Sequence, residues 1–283
     1  MTDIRRVRRR DAQYPRLLAA IHDPPPAIFV RGAGSEAVLA RPAVAVVGAR
    51  TCSAYGRSVA RSLARELAAA GLVVVSGMAR GIDGEAHRGA LEAGVTVAVL
   101  GCGVDRDYPA AHADLARRIC EHGLIVSEYE AGIEPAPWRF PARNRIIAGL
   151  CEATVVVEAR ERSGALITAD FALDEGRDVL AVPGEITSSL SAGTNALIRL
   201  GAIPVTCAGD VLELFGLAHA EPEPESLGAA ARTLLERLRD GALTADELVR
   251  ASGVEPAAAS AALVELELGR RVALEDGVYR VSV

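Results

Sequence analysis

Short, continuously apolar runs alternate with helix-period stretches through most of the chain, and this alternation limits its possible folds most strongly. Such runs are typical of strands buried on both faces, as in parallel sheets covered by helices. The pattern therefore predicts a doubly wound α/β domain at residues 41–216. The predicted strands are residues 43–47, 72–75, 95–100, 124–126, 153–157, 178–182 and 203–205.

The segments that flank this domain differ from it in composition. Residues 1–40 are rich in proline and contain one short apolar run at 27–32, which predicts a lead-in that packs on the main domain. Residues 217–227 alternate glutamate with proline, and this composition predicts an acidic linker. Residues 228–283 combine three helical stretches with a hairpin pattern, which predicts a small winged-helix domain.

Composition argues against several classes of protein. The chain has 283 residues, of which 50% are hydrophobic, but it lacks the run of about 18 apolar residues that a membrane span requires. The arginines near its start are not followed by the apolar segment of a signal peptide. Five cysteines without a Cys-x-x-Cys pair argue against a zinc site or a disulfide framework. We therefore expect a cytoplasmic protein without a membrane segment, a metal or a cofactor.

Arginine supplies all 31 basic residues, and the formal net charge is −6. This balance argues weakly against a nucleic-acid interface spread over the whole surface. The winged-helix segment has seven arginines against nine acidic residues, and its third helix presents Glu255, Glu265 and Glu267 before Arg270. A helix that reads a DNA groove needs hydrogen-bond donors for phosphates and base edges. We favour a protein-contact or scaffold role for this segment over DNA reading.

The turn after residues 72–75 has the composition of an anion site. It contains Gly77, Arg80 and Gly81, and a helical pattern follows it directly. Glycines let the backbone approach a ligand closely, and the start of a helix attracts negative charge. In open α/β sheets this edge is also where ligands bind. The turn therefore predicts an anion site beside Arg80.

The turn after residues 43–47 occupies the position of a dinucleotide fingerprint but differs from it. Arg50 stands where a second glycine lets pyrophosphate approach, and the chain has no lysine for a P-loop. NAD and P-loop nucleotide binding are therefore disfavoured. Backbone amides at this helix start, together with Arg50, Ser53 and Arg57, still suit a phosphate. An ordinary tight turn is the alternative.

The predicted loop at residues 131–145 interleaves arginines with aromatic residues. Arg139, Arg143 and Arg145 alternate with Trp138 and Phe140, and single-stranded nucleic acid sites use this combination for phosphates and bases. In the alternative interpretation the aromatic residues anchor the loop, while the arginines are solvated or pair with Glu128 or Glu158.

Two further features bear on function. Ser163, before the helical stretch that follows residues 153–157, suits either a helix cap or a phosphate donor. Catalytic patterns are scarce, since the chain has no Gly-x-Ser-x-Gly elbow and no His set with metal-ligand spacing. We interpret Asp83 as a helix N-cap and His87 as a packed or hydrogen-bonded core group.

Many sequence blocks together resemble the DNA-processing protein A family (DprA, also called Smf). The order and the spacing of these blocks make the resemblance specific, and it covers nearly the whole chain. The blocks are Val47-Gly48-Ala49-Arg50, residues 76–83, Asp105-Arg106-x-Tyr108-Pro109, residues 140–149, residues 162–168, Gly176-Arg177-Asp178-Val179, Ala181-Val182-Pro183-Gly184 and Gly193-Thr194-Asn195.

The resemblance implies an extended Rossmann-like domain that binds single-stranded DNA in a positively charged pocket, without catalytic turnover. It also implies that the protein shields incoming DNA and loads the RecA recombinase during natural transformation, as a homodimer. Carried over by motif, the DNA site comprises Arg50, Ser53, Gly56, Gly77, Arg80, Gly81, Arg143, Asn144 and Arg145. Local chemistry adds Arg57, Arg139, Ser163 and Gly164.

Some alternatives stay open at this point. The rival function is a nucleotide or nucleoside-phosphate hydrolase on the same turns, but Pro183-Gly184-Glu185 lacks the second glycine of related hydrolases. A pure adaptor that acts through the winged helix is a third possibility. Many relatives begin with a small helical domain that this chain lacks. The apolar helices at residues 197–214 are candidates for a dimer surface, although core packing explains them as well.

Overall fold

The computed structural model describes residues 4–217, 227–269, 271–275 and 277–281. The chain divides into two compact units, Met1–His219 and Ala220–Val283. Most of the predicted linker at 217–227 lies outside the described residues.

The first unit is built on a sheet of nine strands in the order β1-β2-β6-β5-β4-β3-β7-β8-β9. Strands β3 to β9 are parallel, as predicted, whereas β1 and β2 add to the margin of the sheet in antiparallel pairing beside β6. The strands are β1 (Ile4–Arg8), β2 (Ala27–Arg31), β3 (Ala43–Val47), β4 (Val73–Ser76), β5 (Thr96–Leu100), β6 (Leu124–Ser127), β7 (Ala153–Val156), β8 (Asp178–Ala181) and β9 (Ile203–Pro204).

The N-terminal segment therefore contributes two strands to the sheet. Only the second of them was predicted, because β1 is rich in arginine and Val7 alone of its residues is buried. A strand without an apolar run gives no periodicity signal.

Helices cover both faces of the sheet. Their bounds are α1 (Arg16–Ala19), α2 (Ala54–Ala69), α3 (Ile82–Ala93), α4 (Ala113–His122), α5 (Arg139–Gly149), α6 (Gly164–Asp174), α7 (Ala192–Arg199) and α8 (Ala208–Leu212). Side chains of β3 alternate between the two faces: Ala45 and Val47 pack in one core with α5 and α6, and Val44 and Val46 in the other with α2 and α3. This two-sided burial explains why the parallel strands are continuously apolar.

Helix α5 begins at Arg139, within the segment 131–145 that was predicted as a loop. Pro141 suggested a loop, but it falls in the first turn of the helix, where the backbone N–H that proline lacks has no helical partner. Residues 139–145 are consequently helical, and their side chains point around a helix instead of along a loop.

The direction of winding changes at β3. The chain runs outward from β3 through β4 and β5 to β6, and then returns to the other side of β3 to form β7, β8 and β9. The turns after β3 and β7 consequently leave the sheet in opposite directions. Open α/β sheets form a ligand crevice at such a switch point, at the carboxyl ends of the strands.

The second unit contains the three helices and the hairpin that the sequence predicts. They are α9 (Ala229–Arg239), α10 (Ala245–Ser252), α11 (Pro256–Leu268), β10 (Val272–Glu275) and β11 (Val278–Val281). The Thr244 hydroxyl caps α10, and Leu234, Leu248 and Leu266 are buried in the centre of the unit. Asp276 of the predicted hairpin turn lies outside the described residues. In the described part of the whole chain, no helix has the length and apolar character that membrane crossing requires.

Candidate nucleic-acid interface

A cavity of about 450 Å³ lies at the switch point of the first unit. It is bounded by the β3–α2 turn, the β4–α3 turn, the start of α5 and the β7–α6 loop. Most of these segments carry residues that the sequence assigned to the DNA site. The lining includes Arg50, Thr51, Ala79, Asp83, Phe140, Arg143, Asn144, Arg160, Arg162, Ser163 and Gly164.

Three arginines that line the cavity are exposed and lack an acidic partner. Arg50, Arg160 and Arg162 form no ion pair within 4 Å and no side-chain hydrogen bond to any other described residue. Exposed Arg80 of the neighbouring turn has no ion pair to the described residues either. Exposed Arg57 donates to the Cys52 carbonyl at 3.1 Å. Positive charge near the cavity is therefore not neutralised by nearby carboxylates.

Aromatic rings lie beside these charges. Phe140 stacks on Tyr108 with ring centroids 5.3 Å apart, and the Arg50 guanidinium lies 5.7 Å from the Phe140 centroid. Tyr108 is 42% exposed. A nucleic acid base can stack on an accessible ring while its phosphates contact arginines.

A second aromatic group surrounds Arg139 at the start of α5. Its guanidinium lies 4.8 Å from the ring centroids of both Tyr129 and Trp138, and it also donates to the Glu134 carbonyl. Trp138 is 63% exposed. Arg139 is thus held by aromatic faces, and the tryptophan beside it remains accessible.

The β4–α3 turn is held from within by Asp83. One carboxylate oxygen accepts the backbone N–H of Gly77 at 3.1 Å and that of Ala79 at 3.3 Å. Gly81 is the N-cap of α3 and Asp83 is its second residue, so the predicted N-cap was wrong. The turn includes Met78 with φ 59, a value rare for residues other than glycine. The His112 ring lies 3.1 Å from the carbonyl oxygen of Met78.

Arg143 supports the same turn from α5 and is only 4% exposed. Its guanidinium donates to the carbonyl oxygens of Gly77, at 2.7 Å, and Val99. Burial lowers the pKa of Arg143 to about 10 against the opposing attraction of Asp83, and burial also raises the pKa of Asp83. The hydrogen bonds of Arg143 are therefore used inside the protein in this structure, and its contact with DNA stays a prediction.

The two residues after Arg143 are also engaged by the protein. Arg145 pairs with Glu128 at 2.7 Å and Asp23 at 3.0 Å, as the alternative interpretation had it for Glu128. The amide of buried Asn144 donates to the Gly164 carbonyl at 3.1 Å. Arg145 thus joins α5 to two neighbouring segments, and Asn144 joins α5 to α6.

The start of α2 binds a carboxylate of the protein itself. Ser53 is the N-cap, and its hydroxyl accepts the Gly56 N–H at 2.9 Å. The same hydroxyl donates to Glu158 Oε1 at 2.5 Å, and the Ser53 N–H donates to Glu158 Oε2 at 2.9 Å. Glu158 thus occupies the place of an anion at this helix start, and contact of Ser53 and Gly56 with a phosphate stays a prediction.

The glycines assigned to the site let other atoms approach the backbone closely, but at most of them those atoms belong to the protein itself. A Cβ on Gly56 would lie 2.4 Å from the Glu158 carboxyl group, and one on Gly77 would lie 2.6 Å from Arg143. Gly81 has φ 76, and its Cβ would lie 2.3 Å from the Ala49 carbonyl oxygen. Only at Gly164, where Ser163 caps α6, would a Cβ meet open space. The close approach of Gly56, Gly77 and Gly81 to DNA stays a prediction.

His87 packs in the core, as predicted. Its side chain is 0% exposed, and Nδ1 lies 2.7 Å from the Thr96 hydroxyl. Burial, with repulsion from His112, Arg143 and Arg88, lowers the pKa of His87 to about 3. The ring is therefore neutral at physiological pH, and His87 is not among the residues that line the cavity. No group of three or more metal-ligating side chains occurs within the described residues.

Family models match both units of the chain. The model described as DNA recombination-mediator protein A matches residues 5–216, and the model described as DprA winged helix domain matches residues 218–277. The chain belongs to the DNA recombination-mediator protein A family.

Individual proteins support the family assignment. A DprA protein of Mycobacterium tuberculosis is 47% identical over 249 residues, which cover 84% of this chain and 64% of that relative. The chain thus spans less than two thirds of the relative's length. DNA processing protein A from Streptococcus pneumoniae has a solved structure that is 45% identical, with a TM-score of 0.71 over 75% of this chain and 74% of the other.

A further solved structure concerns the single-stranded DNA binding mode of DNA processing protein A from Helicobacter pylori. It is 29% identical, with a TM-score of 0.68 over 76% of this chain and 98% of the other. Both solved family members therefore share the fold of the first unit.

Some cavity residues of this family member were not singled out from its sequence. Arg160 follows β7 by four positions, and Arg162 begins one of the recognised blocks without being assigned to the site. The rule that strand ends form the site identifies both, because β7 flanks the switch point. Tyr108 was part of another recognised block, but its stacking on Phe140 depends on tertiary structure.

Proposed function

We propose that this chain is a recombination mediator that binds single-stranded DNA along the arginine-lined cavity. The observation that carries the proposal is the set of exposed arginines without an ion pair to the described residues, Arg50, Arg160 and Arg162, beside the stacked Phe140 and Tyr108. Arginines release counterions from phosphates, and accessible rings stack on bases of any sequence. Binding should therefore depend on strand length and salt, with weak sequence preference.

Family membership supports the same function. The Helicobacter pylori family member has a single-stranded DNA binding mode, and we extend that property to this chain on the basis of its own cavity. Protection of incoming DNA, transfer to RecA, a role in natural transformation in the cytoplasm, and assembly as a homodimer belong to the same proposal. The winged helix serves protein contact or support in it, consistent with its excess of acidic residues.

The proposal includes no catalytic turnover. The carboxylates closest to the cavity have other roles: Asp83 accepts two backbone amides, and Glu158 accepts both polar groups of Ser53. A carboxylate committed to such bonds is a poor general base, because accepting a proton weakens the bonds that hold it. This supports a binding protein over the rival nucleotide hydrolase.

The first prediction concerns Arg50→Ala and Arg160→Ala. Each change removes one phosphate contact, so we expect roughly 5- to 20-fold weaker binding of a labelled oligothymidylate at low salt, with the salt slope reduced by about one. Fluorescence anisotropy over a salt series measures both quantities. Oligomers of increasing length should bind with increasing affinity.

The matched control is Arg41→Ala. Arg41 is exposed, donates to the Gly71 carbonyl at 2.8 Å, and lies before β3, at the opposite end of the strand from Arg50. The net charge changes equally, but DNA affinity should remain within about twofold, since general charge effects are small. Equal affinities for the wild type, Arg50→Ala and Arg160→Ala would overturn the proposal.

Hydrolysis of nucleoside phosphates by the purified chain would favour the rival function. Sizing of the free protein and a pull-down with RecA test the assembly and transfer steps.

A further inference from the structure

Glu158 is a carboxylate buried without a basic partner. It follows β7 and is 4% exposed, and no basic side chain of the described residues lies within 4 Å of its carboxylate. Its partners are the N–H and the hydroxyl of Ser53, at 2.9 Å and 2.5 Å. Ser53 is the N-cap of the 16-residue helix α2. The charge of Glu158 is thus balanced by the first turn of a helix, which carries partial positive charge.

The space around this carboxylate is fitted to it. A Cβ on Gly56, the third residue of α2, would lie 2.4 Å from Glu158 Oε2. Any larger residue at Gly56 would displace the carboxylate from Ser53. The glycine in the first turn of α2 therefore makes room for Glu158, which is an internal anion.

The position of this internal anion is the one that a phosphate takes in nucleotide-binding α/β proteins. There, the helix after the first strand of the switch point directs its free N–H groups at a phosphate. Here the corresponding helix is α2, after β3, and its N-cap bonds to Glu158. A phosphate placed against Ser53 would meet a fixed negative charge within hydrogen-bonding distance of the same donors.

We propose that Glu158 is a specificity-determining residue, because its carboxylate fills this phosphate position at Ser53, the inner position. The chain therefore rejects a mononucleotide there. Only the exposed arginines that line the cavity, Arg50, Arg160 and Arg162, are left to bind a DNA strand. The inference rests on the proposed DNA-binding function, whose selectivity it explains. A mononucleotide bound through one phosphate needs the inner position. A DNA strand engages several phosphates at once and does not need it.

The backbone of Glu158 contributes to the same arrangement. Its carbonyl oxygen accepts the Ala49 N–H at 2.7 Å and thereby joins the turns after β7 and β3. Arg50 follows Ala49, and Arg160 lies two residues after Glu158, so each turn presents one arginine to the cavity. The side chain of Glu158 thus fills the phosphate position at Ser53, and its backbone joins the two turns that carry Arg50 and Arg160.

Glu158→Ala tests the inference by vacating the position. We expect the variant to gain binding of inorganic phosphate and adenosine monophosphate at the Ser53 donors. Phosphate binding to the folded state raises the melting temperature in phosphate above that in chloride at equal ionic strength. A tenfold excess of phosphate over its dissociation constant multiplies the folding equilibrium constant by about eleven. Phosphate stabilises folded proteins in general more than chloride does, so the wild type sets the baseline, and Glu158→Ala should show a larger rise in melting temperature.

Glu152→Ala is the matched control. Glu152 lies at the other end of β7, where its carboxylate accepts the Ala43 N–H at 2.9 Å, away from any helix start. This variant loses the same charge and a similar hydrogen bond but opens no phosphate position, so phosphate should stabilise it over chloride no more than it stabilises the wild type. A phosphate effect equal in both alanine variants would overturn the inference.

Glu158→Gln distinguishes the effect of filling the phosphate position at Ser53 from the effect of the negative charge of Glu158. Glutamine fills the same volume and can bond to Ser53 through both of its polar atoms, so this variant should fold and show only the phosphate effect of the wild type. Equal phosphate effects in the glutamine and alanine variants would overturn the proposal that occupancy excludes phosphate. If Glu158→Ala does not fold in chloride, recovery of cooperative unfolding with added phosphate supports the inference, and no recovery overturns it. DNA binding by the wild type is unaffected by either result, so the two proposals fail separately.

Discussion

The β3–α2 turn and the β4–α3 turn have the same plan but are stabilised differently. Each follows a buried strand, precedes a helix and presents one exposed arginine, Arg50 or Arg80. In both, a carboxylate of the protein accepts backbone N–H groups. In the first turn that carboxylate belongs to Glu158, 105 residues from Ser53, whereas in the second it belongs to Asp83, within six residues of its partners.

This difference separates local from non-local support of a helix start. Free N–H groups at a strand-to-helix turn predict an anion, but they do not distinguish a ligand from an internal carboxylate. Because Glu158 and Asp83 supply the anion in these two turns, ligand contact passes to the arginine side chains. The second turn additionally needs Arg143 beneath it, since it includes the unfavourable backbone conformation of Met78.

The largest expected effect is that of Arg143→Ala, which removes the support of the β4–α3 turn. The change removes the hydrogen bonds to the Gly77 and Val99 carbonyls and leaves Asp83 buried beside no compensating charge. Loss of one charged partner in a buried site costs about 3–5 kcal/mol. Urea denaturation of the purified protein measures the loss.

Arg80→Ala is the control for that variant. Arg80 is exposed on the same turn and has no ion pair to the described residues, so its removal should change the free energy of unfolding by less than about 0.5 kcal/mol. DNA affinity should fall in Arg80→Ala even though its stability does not. If Arg143→Ala unfolded at wild-type urea concentrations, the structural role assigned to Arg143 would be wrong.

Gly81→Ala acts where the two turns touch. With φ 76 and a Cβ 2.3 Å from the Ala49 carbonyl oxygen, alanine would have to move one turn away from the other. Backbone strain and overpacking together should cost roughly 3 kcal/mol. Thermal and urea denaturation report the change.

Gly164→Ala is the matched substitution at an open position. Apart from its chain neighbours and the backbone of its own helix, no heavy atom of the described residues lies within 4 Å of the added Cβ, and residue 164 begins α6, where alanine favours the helix. We expect a gain of about 0.5 kcal/mol. Equal destabilisation by both alanines would show that close contact at Gly81 is not what joins the turns.

The smallest of the three expected losses of stability concerns pH and His87, on the helix of the second turn. The folded-state pKa of about 3 lies below the usual value near 6.5, so the unfolded chain binds a proton first as the pH falls. The stability that the neutral ring contributes is complete above pH 6.5 and is lost progressively as the pH falls from 6.5 toward 3. Between pH 7.5 and 5 the loss should be about 2 kcal/mol.

His87→Gln supplies the comparison for the pH series. It should be less stable than the wild type at pH 7.5, yet its stability should fall less between pH 7.5 and 5, because the titrating ring is gone. Denaturation curves at matched ionic strength give the two slopes. Parallel slopes for the two proteins would contradict the lowered pKa.

The sequence predicts the parts of this fold that depend on local patterns. Buried parallel strands are continuously apolar, which located β3 to β9 within a few residues. The helix caps at Thr244 and Ser163 depend on local sequence, because a cap interaction spans only two or three residues. The short-range supports of a turn are likewise readable, although Asp83 occupies the second helical position instead of the N-cap.

What the sequence could not predict depends on distant partners. Nothing near Ser53 in the chain indicates that Glu158 will take its hydrogen bonds. Arg143 and Arg145 are two residues apart in one motif, and only the packing of α5 turns the first under the β4–α3 turn and the second toward Glu128. For candidate arginines, residue type and position at a strand end were informative, but burial decided which of them face the cavity.

The two outermost strands of the sheet have a consequence for association. An unpaired strand margin is a template for pairing with another chain, and charged residues or proline there prevent it. The outer strand β1 carries Arg5, Arg6 and Arg8, and at the other margin β9 has only two residues, one of them Pro204, which has no N–H to donate. Cross-strand aggregation is thereby opposed at both margins, and a macromolecular partner is directed to the helices and loops that cover the sheet.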